Sequence, residues 1–420
     1  MEEPRRTPRT MVVLTRSFPF RPGEEFAEPE APHWAVPGWR VVVMPWQVAG
    51  DPRPLPEGVE IDRTLSQTRQ RWHRLAVLPA LVGPEFVPEL LRRRRELVSR
   101  PAATVREVLR VARGVWVTRR ALRQRIAADG PIDLAYSYWF DVWGLGALTL
   151  AGRGIGTVAS RVHRYDLYET LSPAGFHATK RHLGPRLDWL LPIGRSSAET
   201  AMRDFGVRPA SVHLAPLGVS LPETTTPGGD GDTVTLVSCS HTVPVKRVDK
   251  IIDALAIASR AEPGLRFHWT HLGGGPELDD LRARASSLDP ARVTADLVGA
   301  RSHDEVLDWF AGHPADLFVN VSDSEGLPVT IMEAMAAGIP VLAPAVGDIG
   351  DLVPADGPGG WLLPTTPTPQ QIADALLAHW REARSPEHRA EARRLVAEGY
   401  ESDRNAEALM RFLTTEAVAP

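Results

Sequence analysis

Between Leu317 and Val341 the chain spells out a strand, a loop, a helix and a second strand, and few folds accept that sequence of elements. Leu317-Phe318-Val319-Asn320-Val321 is an apolar run of strand length, and Ser322-Asp323-Ser324-Glu325-Gly326 is a polar turn. Pro328 then stands where the first turn of a helix tolerates a missing N–H. The spacing predicts a helix from Pro328 to Ala337, stopped by Gly338, before Ile339-Pro340 opens the strand Val341–Ala343. Glu325 falls in the loop where the first strand ends, and Glu333 on the helix. Acids near a helix start have a simple reading, since they complement the helix dipole by roughly 0.3–1 kcal/mol. A second reading is that they hold the hydroxyls of a ligand.

The same alternation runs through the whole chain. In the first half, strands are expected at Met11–Thr15, Arg40–Pro45, Ile132–Trp139, Gly156–Val162, Trp189–Ile193 and Val212–Pro216, with helix over Leu75–Ala128 and Ser197–Phe205. In the second half, strands are expected at Val234–Cys239, Phe267–Leu272, Asp296–Gly299, Leu317–Val321 and Val341–Ala343, with a turn and short strand over Gly359–Leu363. Helices are expected between them and in the last fifty residues or so, ending with Arg404–Thr414. Strands apolar on both faces and separated by helices indicate parallel α/β sheets. At 420 residues the chain exceeds one comfortable core. The Thr-, Pro- and Gly-rich stretch Thr224–Asp232 marks the boundary, giving domains at 1–223 and 233–399, a linker at 224–232 and a terminal segment at 400–420.

Composition removes several classes. No apolar run reaches the roughly 20 residues that span a bilayer, and Met1-Glu2-Glu3-Pro4-Arg5-Arg6 lacks the apolar core of a signal peptide, so a cytoplasmic protein is expected. The single cysteine, Cys239, rules out an intramolecular disulfide and is expected to be a small buried hydrophobe. A net charge of −4 argues against nucleic acid as a partner. Basic residues are nevertheless concentrated between Arg92 and Arg125, either as solvated amphipathic helices or as a face for a membrane or a phosphate-bearing acceptor, peripheral on the inner side of the membrane. Lys180, Lys246 and Lys250 are the only lysines among many arginines, which singles out Lys246.

In open parallel sheets ligands bind beyond the carboxyl ends of the strands. Gly23, His163, Lys246, Gly273-Gly274-Gly275 and Glu325 all follow predicted strands there. Taken singly each has a plain alternative: a structural turn for the glycines, a solvated charge for Lys246, a satisfied loop histidine for His163. Asp166, three residues after His163, could join it in binding a sugar hydroxyl.

These residues carry a resemblance to retaining glycosyltransferases of the GT-B fold, family four (glycosyl transferases group 1), bacterial surface-polysaccharide type. It rests on Ser324-Glu325-Gly326-Leu327-Pro328 through Glu333-Ala334-Met335-Ala336-Ala337-Gly338-Ile339-Pro340-Val341, on Val245-Lys246-Arg247-Val248-Asp249, on Gly273-Gly274-Gly275-Pro276, on Ser160-Arg161-Val162-His163-Arg164-Tyr165-Asp166 and on Pro216-Leu217-Gly218-Val219. Phe18-Pro19-Phe20 with Gly23-Glu24-Glu25-Phe26 is similar to the opening loop of polysaccharide members.

The resemblance implies two facing Rossmann-like domains with a cleft between them and a C-terminal helix returning to the N-terminal domain. It implies a nucleotide-sugar donor, a sugar, lipid-linked or natural-product acceptor, no cofactor and no metal. Glu333 would hold the ribose, Glu325 with the amides of Gly326 and Leu327 the donor sugar, Lys246 the leaving diphosphate, and His163 the sugar near its reacting face. Gly23, Asp166, His241, Arg247 and Gly274 would complete the donor site. One position departs from the pattern: Ser240-His241 stands where members commonly carry Gly-Arg, which shifts phosphate binding toward Lys246 and Arg247. The alternatives are a non-catalytic partner subunit and a hydrolysing nucleotide-sugar epimerase on the same fold.

Overall fold

The computed structural model describes residues 8–20, 23–72 and 74–418. They form two compact units: one runs to Ala215 and resumes at Asp403, and the other is Pro216–Ser402. In the first unit β1 (Arg9–Thr15), β2 (Trp39–Pro45), β3 (Val59–Ile61), β4 (Ile132–Ser137), β5 (Ile155–Val162) and β6 (Trp189–Pro192) make a parallel sheet in the order β3-β2-β1-β4-β5-β6. The period of two sorts their side chains into two cores. Val12, Leu14, Val42 and Met44 pack with Val108, Val111, Val115 and Leu122 of the long helix Pro101–Asp129. Met11, Val13, Val41 and Val43 pack with Leu409, Met410, Phe412 and Leu413 from the end of the chain. Each such side chain contributes about 1.5–3 kcal/mol by leaving water, so the terminal residues are part of the first unit's core.

The expected helix over Leu75–Ala128 is broken. Gly83-Pro84, Pro101 and a non-helical Arg93 divide it into Val77–Leu81, Val87–Arg92, Arg94–Ser99 and the long helix, which Pro101 opens. A further helix, Val142–Leu148, has every residue buried and lacks an amphipathic pattern that would reveal it. It lies so close to the long helix that a Cβ on Gly114 would come 2.6 Å from Val142, and one on Gly146 2.5 Å from Thr118. The expected strand Val212–Pro216 forms only a single bridge, Val212 to Leu190. His213 and Ala215 donate to the carbonyls of Leu190 and Pro192 at 2.9 Å, but Pro192 has no N–H to return.

The second unit contains β7 (Thr233–Cys239), β8 (Arg266–Leu272), β9 (Val293–Gly299), β10 (Leu317–Val319), β11 (Val341–Pro344), β12 (Asp356–Gly357) and β13 (Gly360–Leu363). Their order is β12-β13-β11-β10-β7-β8-β9, and only the β12 to β13 pairing is antiparallel. The segment Thr224–Asp232 lies within this unit. The amide of Thr226 donates to Ala337 O at 2.8 Å and that of Gly229 to Asp316 at 2.8 Å. The Asp316 carboxylate also takes the Thr235 amide at 2.8 Å and the Arg384 guanidinium at 2.9 Å.

In the first unit the buried Glu30 carboxylate accepts from Tyr136 at 3.1 Å, Tyr138 at 3.2 Å and Trp34 at 3.2 Å, and pairs with buried Arg161. Breaking a buried pair by removing one partner strands the other charge, at a cost of about 3–5 kcal/mol. Glu30→Ala should therefore lower the urea unfolding free energy by that amount, and a loss under about 1 kcal/mol would mean that Arg161 is not held by this pair.

Candidate functional site

Both sheets reverse direction of growth once, and in such sheets the loops at the switch point diverge and leave room for a ligand. In the second unit the switch lies between β7 and β10. The loop after β7 carries Lys246 and the loop after β10 carries Glu325, and the two meet, Nζ to Oε1, at 2.6 Å. Asn320 adds a bond to the same Glu325 oxygen at 3.3 Å, and the amide of Asp323 donates to Val245 O at 2.9 Å, tying the loops together. Glu325 is buried and Lys246 half-buried. Arg247 adopts a left-handed conformation, φ 50°, and bonds Asp249 at 3.1 Å and Asp323 at 3.3 Å. Its charge is thus turned on neighbouring carboxylates.

Pro328, expected in the first turn of its helix, caps it instead, and the helix spans Val329–Ala336. Buried Glu333 accepts from His303 Nε2 at 2.6 Å. Sequence reasoning missed His303 because it opens a helix elsewhere in the chain and no motif surrounds it. Gly326 and Leu327 are buried, and among the described residues their backbone amides have no hydrogen-bond acceptor. Buried amides are nearly always paired, so this pair of donors marks a place suited to an oxygen-rich ligand. Gly347 closes the loop from behind, in a left-handed conformation against the backbone of Glu325, and Asp348 N donates to Gly326 O at 3.0 Å.

The glycine loop has a steric cause. Gly273 and Gly275 have φ of 148° and 157°, and a Cβ on Gly273 would overlap the Ser240 carbonyl oxygen. His241 is exposed and its Nδ1 lies 3.4 Å from Gly274 O. Cys239, expected to be buried, is half-buried; burial, with Glu333 adding to it, pushes its thiol up to about 12. A thiol held there is a poor nucleophile. Lys246 acts on the same thiol in the opposite sense.

In the first unit the switch lies between β1 and β4. Gly23 has φ 103° and the next residue, Glu24, φ 58°. The Glu24 carboxylate gathers the amides of Arg16 at 3.0 Å, Ser17 at 2.6 Å and Phe18 at 2.6 Å, and the indole of Trp139 at 2.6 Å. Arg21 and Pro22 of this loop lie outside the described residues. His163, at the end of β5, is ringed by Trp139 at 4.4 Å, Phe26 at 5.4 Å and Tyr138 at 5.8 Å. It is buried, and among the described residues neither ring nitrogen has a hydrogen-bond partner, so it is not the satisfied loop histidine of the plain reading. Burial, reinforced by Arg161, holds its pKa well below the ordinary histidine value, and the ring is neutral.

Asp166 is spent differently from the expectation. Its two oxygens accept from the amides of His163 at 2.7 Å and Phe140 at 2.6 Å, fixing the exits of β5 and β4. Burial pushes its carboxyl up to about 6. Next to it, a pocket of about 210 Å³ is lined by Arg106, Arg110, Asp141, Tyr165, His177 and Lys180 among others. The buried Lys180 ammonium bonds Asp166 O and sits 5.3 Å from the rings of Phe140 and Phe205. Among the described residues no three His, Cys, Asp or Glu side chains are grouped as metal ligands.

On β8, wholly buried His271 bonds Ser238 Oγ of β7 at 2.8 Å, and burial pushes its pKa down to about 4. The unfolded chain binds a proton near the ordinary value of 6.5 and the folded chain does not, so this contribution is complete above pH 6.5 and is lost as pH falls toward 4. His271→Gln should flatten the fall of stability across that window by about 3 kcal/mol, read from unfolding at several pH values. Parallel pH profiles for the two proteins would overturn the assignment.

Residues 232–382 match the family described as "Glycosyl transferases group 1". WcaL of Salmonella typhimurium is 27% identical over 241 residues, and the match spans 56% of this chain and 56% of that protein. The GDP-mannose-dependent monoacylated alpha-(1-6)-phosphatidylinositol monomannoside mannosyltransferase of Corynebacterium glutamicum is 26% identical over 318 residues, 70% of this chain and 71% of that protein. The crystal structure of HepE from Anabaena in complex with UDP superposes with a TM-score of 0.62 at 16% identity, over 97% of this chain and 100% of that one. The chain has the GT-B fold of two Rossmann-like α/β units, and its second unit is related to the glycosyl transferases of group 1.

Proposed function

We propose that the protein transfers a sugar from a nucleotide-sugar donor to an acceptor, retaining the anomeric configuration and using no metal. The observation that carries the reading is the Lys246–Glu325 pair, beside the unpaired amides of Gly326 and Leu327 at the β7/β10 switch point. Support also comes from the family match over the unit that contains them and from relatives named for GDP-mannose dependence or solved with UDP.

In this reading Glu333, oriented by His303, takes the ribose hydroxyls, and Glu325 with the two amides takes hydroxyls of the transferred sugar. A diphosphate competes with Glu325 for the Lys246 ammonium, and its charge grows as the bond to the sugar breaks, so Lys246 stabilises the transition state more than the ground state. Arg247 and His241 are secondary, the first because its charge is engaged by two aspartates. Neutral His163 donates from its ring to a sugar hydroxyl. No protein nucleophile is invoked: the acceptor attacks from the face the phosphate leaves, and a phosphate oxygen takes the acceptor proton. Gly23 and Gly274 let backbone approach the donor, and Asp166 acts by positioning His163. The acceptor is a glycolipid or polysaccharide intermediate or a small natural product, and the protein meets the membrane peripherally through the Arg92–Arg125 region.

A thermal-shift screen of UDP-, GDP-, ADP- and dTDP-sugars should reveal one stabilising donor. With it, Lys246→Ala should lower kcat by at least about tenfold, whereas Glu333→Gln should chiefly raise KM. Full turnover in Lys246→Ala would remove the site assignment. Saturable donor binding with no transfer or hydrolysis would instead favour a non-catalytic subunit, and release of a new free sugar without acceptor would identify an epimerase.

A further inference from the structure

The residues from Leu75 to Val105 are arranged inside out for a surface that faces water. Three short helices, Val77–Leu81, Val87–Arg92 and Arg94–Ser99, lie against the long helix Pro101–Asp129. Much of what they bury is charged: Glu85 pairs with Arg119, and Glu89 with Arg93 at 3.1 Å, all four carboxylate and guanidinium groups being largely withdrawn from solvent. What they leave outside is apolar. Leu78 is 74% exposed, Val82 85%, Leu91 68% and Val98 85%, and Leu75, Val87 and Val105 join them. The helix Arg94–Ser99 buries no residue at all.

Scattered exposed hydrophobes need no explanation, but a concentration of them does. Beyond this segment, only Tyr165, Leu214 and Leu307 are large, apolar and exposed among the described residues. The same stretch presents positive charge. Arg94, Arg95, Arg100 and Arg106 are exposed, and among the described residues no carboxylate pairs with them. Elsewhere in the basic run several guanidiniums are engaged internally, Arg93 by Glu89, Arg110 by Glu107, Arg119 by Glu85 and Arg125 by Asp129, while Arg123 is exposed. Arg94, Arg95, Arg100 and Arg106 are the exposed arginines interleaved with the exposed leucines and valines.

We propose that the Leu75–Val105 face docks on a bilayer containing anionic lipids, with Leu78, Val82, Leu91 and Val98 entering the boundary between headgroups and acyl chains and the free arginines meeting headgroup phosphates. Apolar side chains mixed with cations on short helices that lie flat suit that interface, and no helix is long and apolar enough to cross a membrane among the described residues. Charge selects the occupant: a second copy in a two-fold contact would set arginines against arginines, whereas an anionic surface neutralises them. The proposal deepens the membrane contact in the function read above and moves its centre from the long arginine helix to the short helices before it. Arg106 also lines the pocket of about 210 Å³, which puts that pocket at the edge of the docking face.

The test is co-sedimentation of the full chain with vesicles of phosphatidylglycerol and phosphatidylethanolamine, compared with phosphatidylcholine alone, at low and high salt. Binding to the anionic vesicles should exceed that to neutral ones by about tenfold and weaken with salt. Leu78→Asp with Val82→Asp, and separately Arg94→Glu with Arg95→Glu, should each reduce it about tenfold, with thermal unfolding unchanged because these side chains are exposed. Absence of vesicle binding, or binding that neither variant changes, overturns the proposal. So does a dimer in size-exclusion chromatography that Leu78→Asp with Val82→Asp dissociates, since a second copy would then own the face. Turnover of a soluble nucleotide sugar should be the same in both variants. A protein that turns over the donor but ignores vesicles refutes the docking face alone, and one that binds vesicles but no nucleotide refutes only the transfer reading.

Discussion

A parallel strand buried on both faces has nowhere to place a polar side chain except at its ends, and that constraint orders both units of this protein. Val12 and Val13, neighbours on β1, enter opposite cores. The same holds for Val42 and Val43 on β2. Chemistry is thereby pushed to the carboxyl edges, where loops leave for helices and where the sheets reverse their direction of growth. Lys246 with Glu325 in one unit, and Glu24, Trp139 and His163 in the other, occupy those two reversals.

The two edges solve their electrostatics differently. In the second unit an ammonium and a carboxylate satisfy each other across two loops. In the first unit the charged groups near His163 are engaged by other partners. Arg161 is tied below to Glu30 and the tyrosines, Asp166 is consumed by backbone amides, and His163 is left neutral inside an aromatic wall. A neutral imidazole with open nitrogens offers direction and hydrogen bonding without a counter-ion to displace.

Much of this was legible in the sequence, for reasons that can be named. Met11–Leu14 in β1 and Val41–Met44 in β2 are unbroken apolar runs, and the turn Ser324–Pro328 has a composition that few other elements share. The fully buried helix Val142–Leu148 was not legible because burial on all sides erases the amphipathic period. The three-residue strand β3 carries too few residues for alternation to show. At the site, the place of Glu325 in the loop after β10 could be anticipated from its neighbours in sequence, but its bond to Lys246 joins residues far apart in the chain. The inward turn of Asp166 and the support of Glu333 by His303 likewise depend on tertiary placement. The arginine run misled in the opposite way, since spacing does not tell which guanidiniums find a carboxylate and which do not.

The residues after Ser402 belong to the first unit, and this has a consequence for synthesis. Leu409, Met410, Phe412 and Leu413 cover one face of a sheet whose first strand begins at Arg9. The ribosome therefore delivers every residue of the second unit before the first unit has its last wall. Until then the face of Met11, Val13, Val41 and Val43 is only partly covered, by Phe18, Ala27, Ala31 and Trp34, and the nascent first unit is exposed to misassembly and to capture by chaperones.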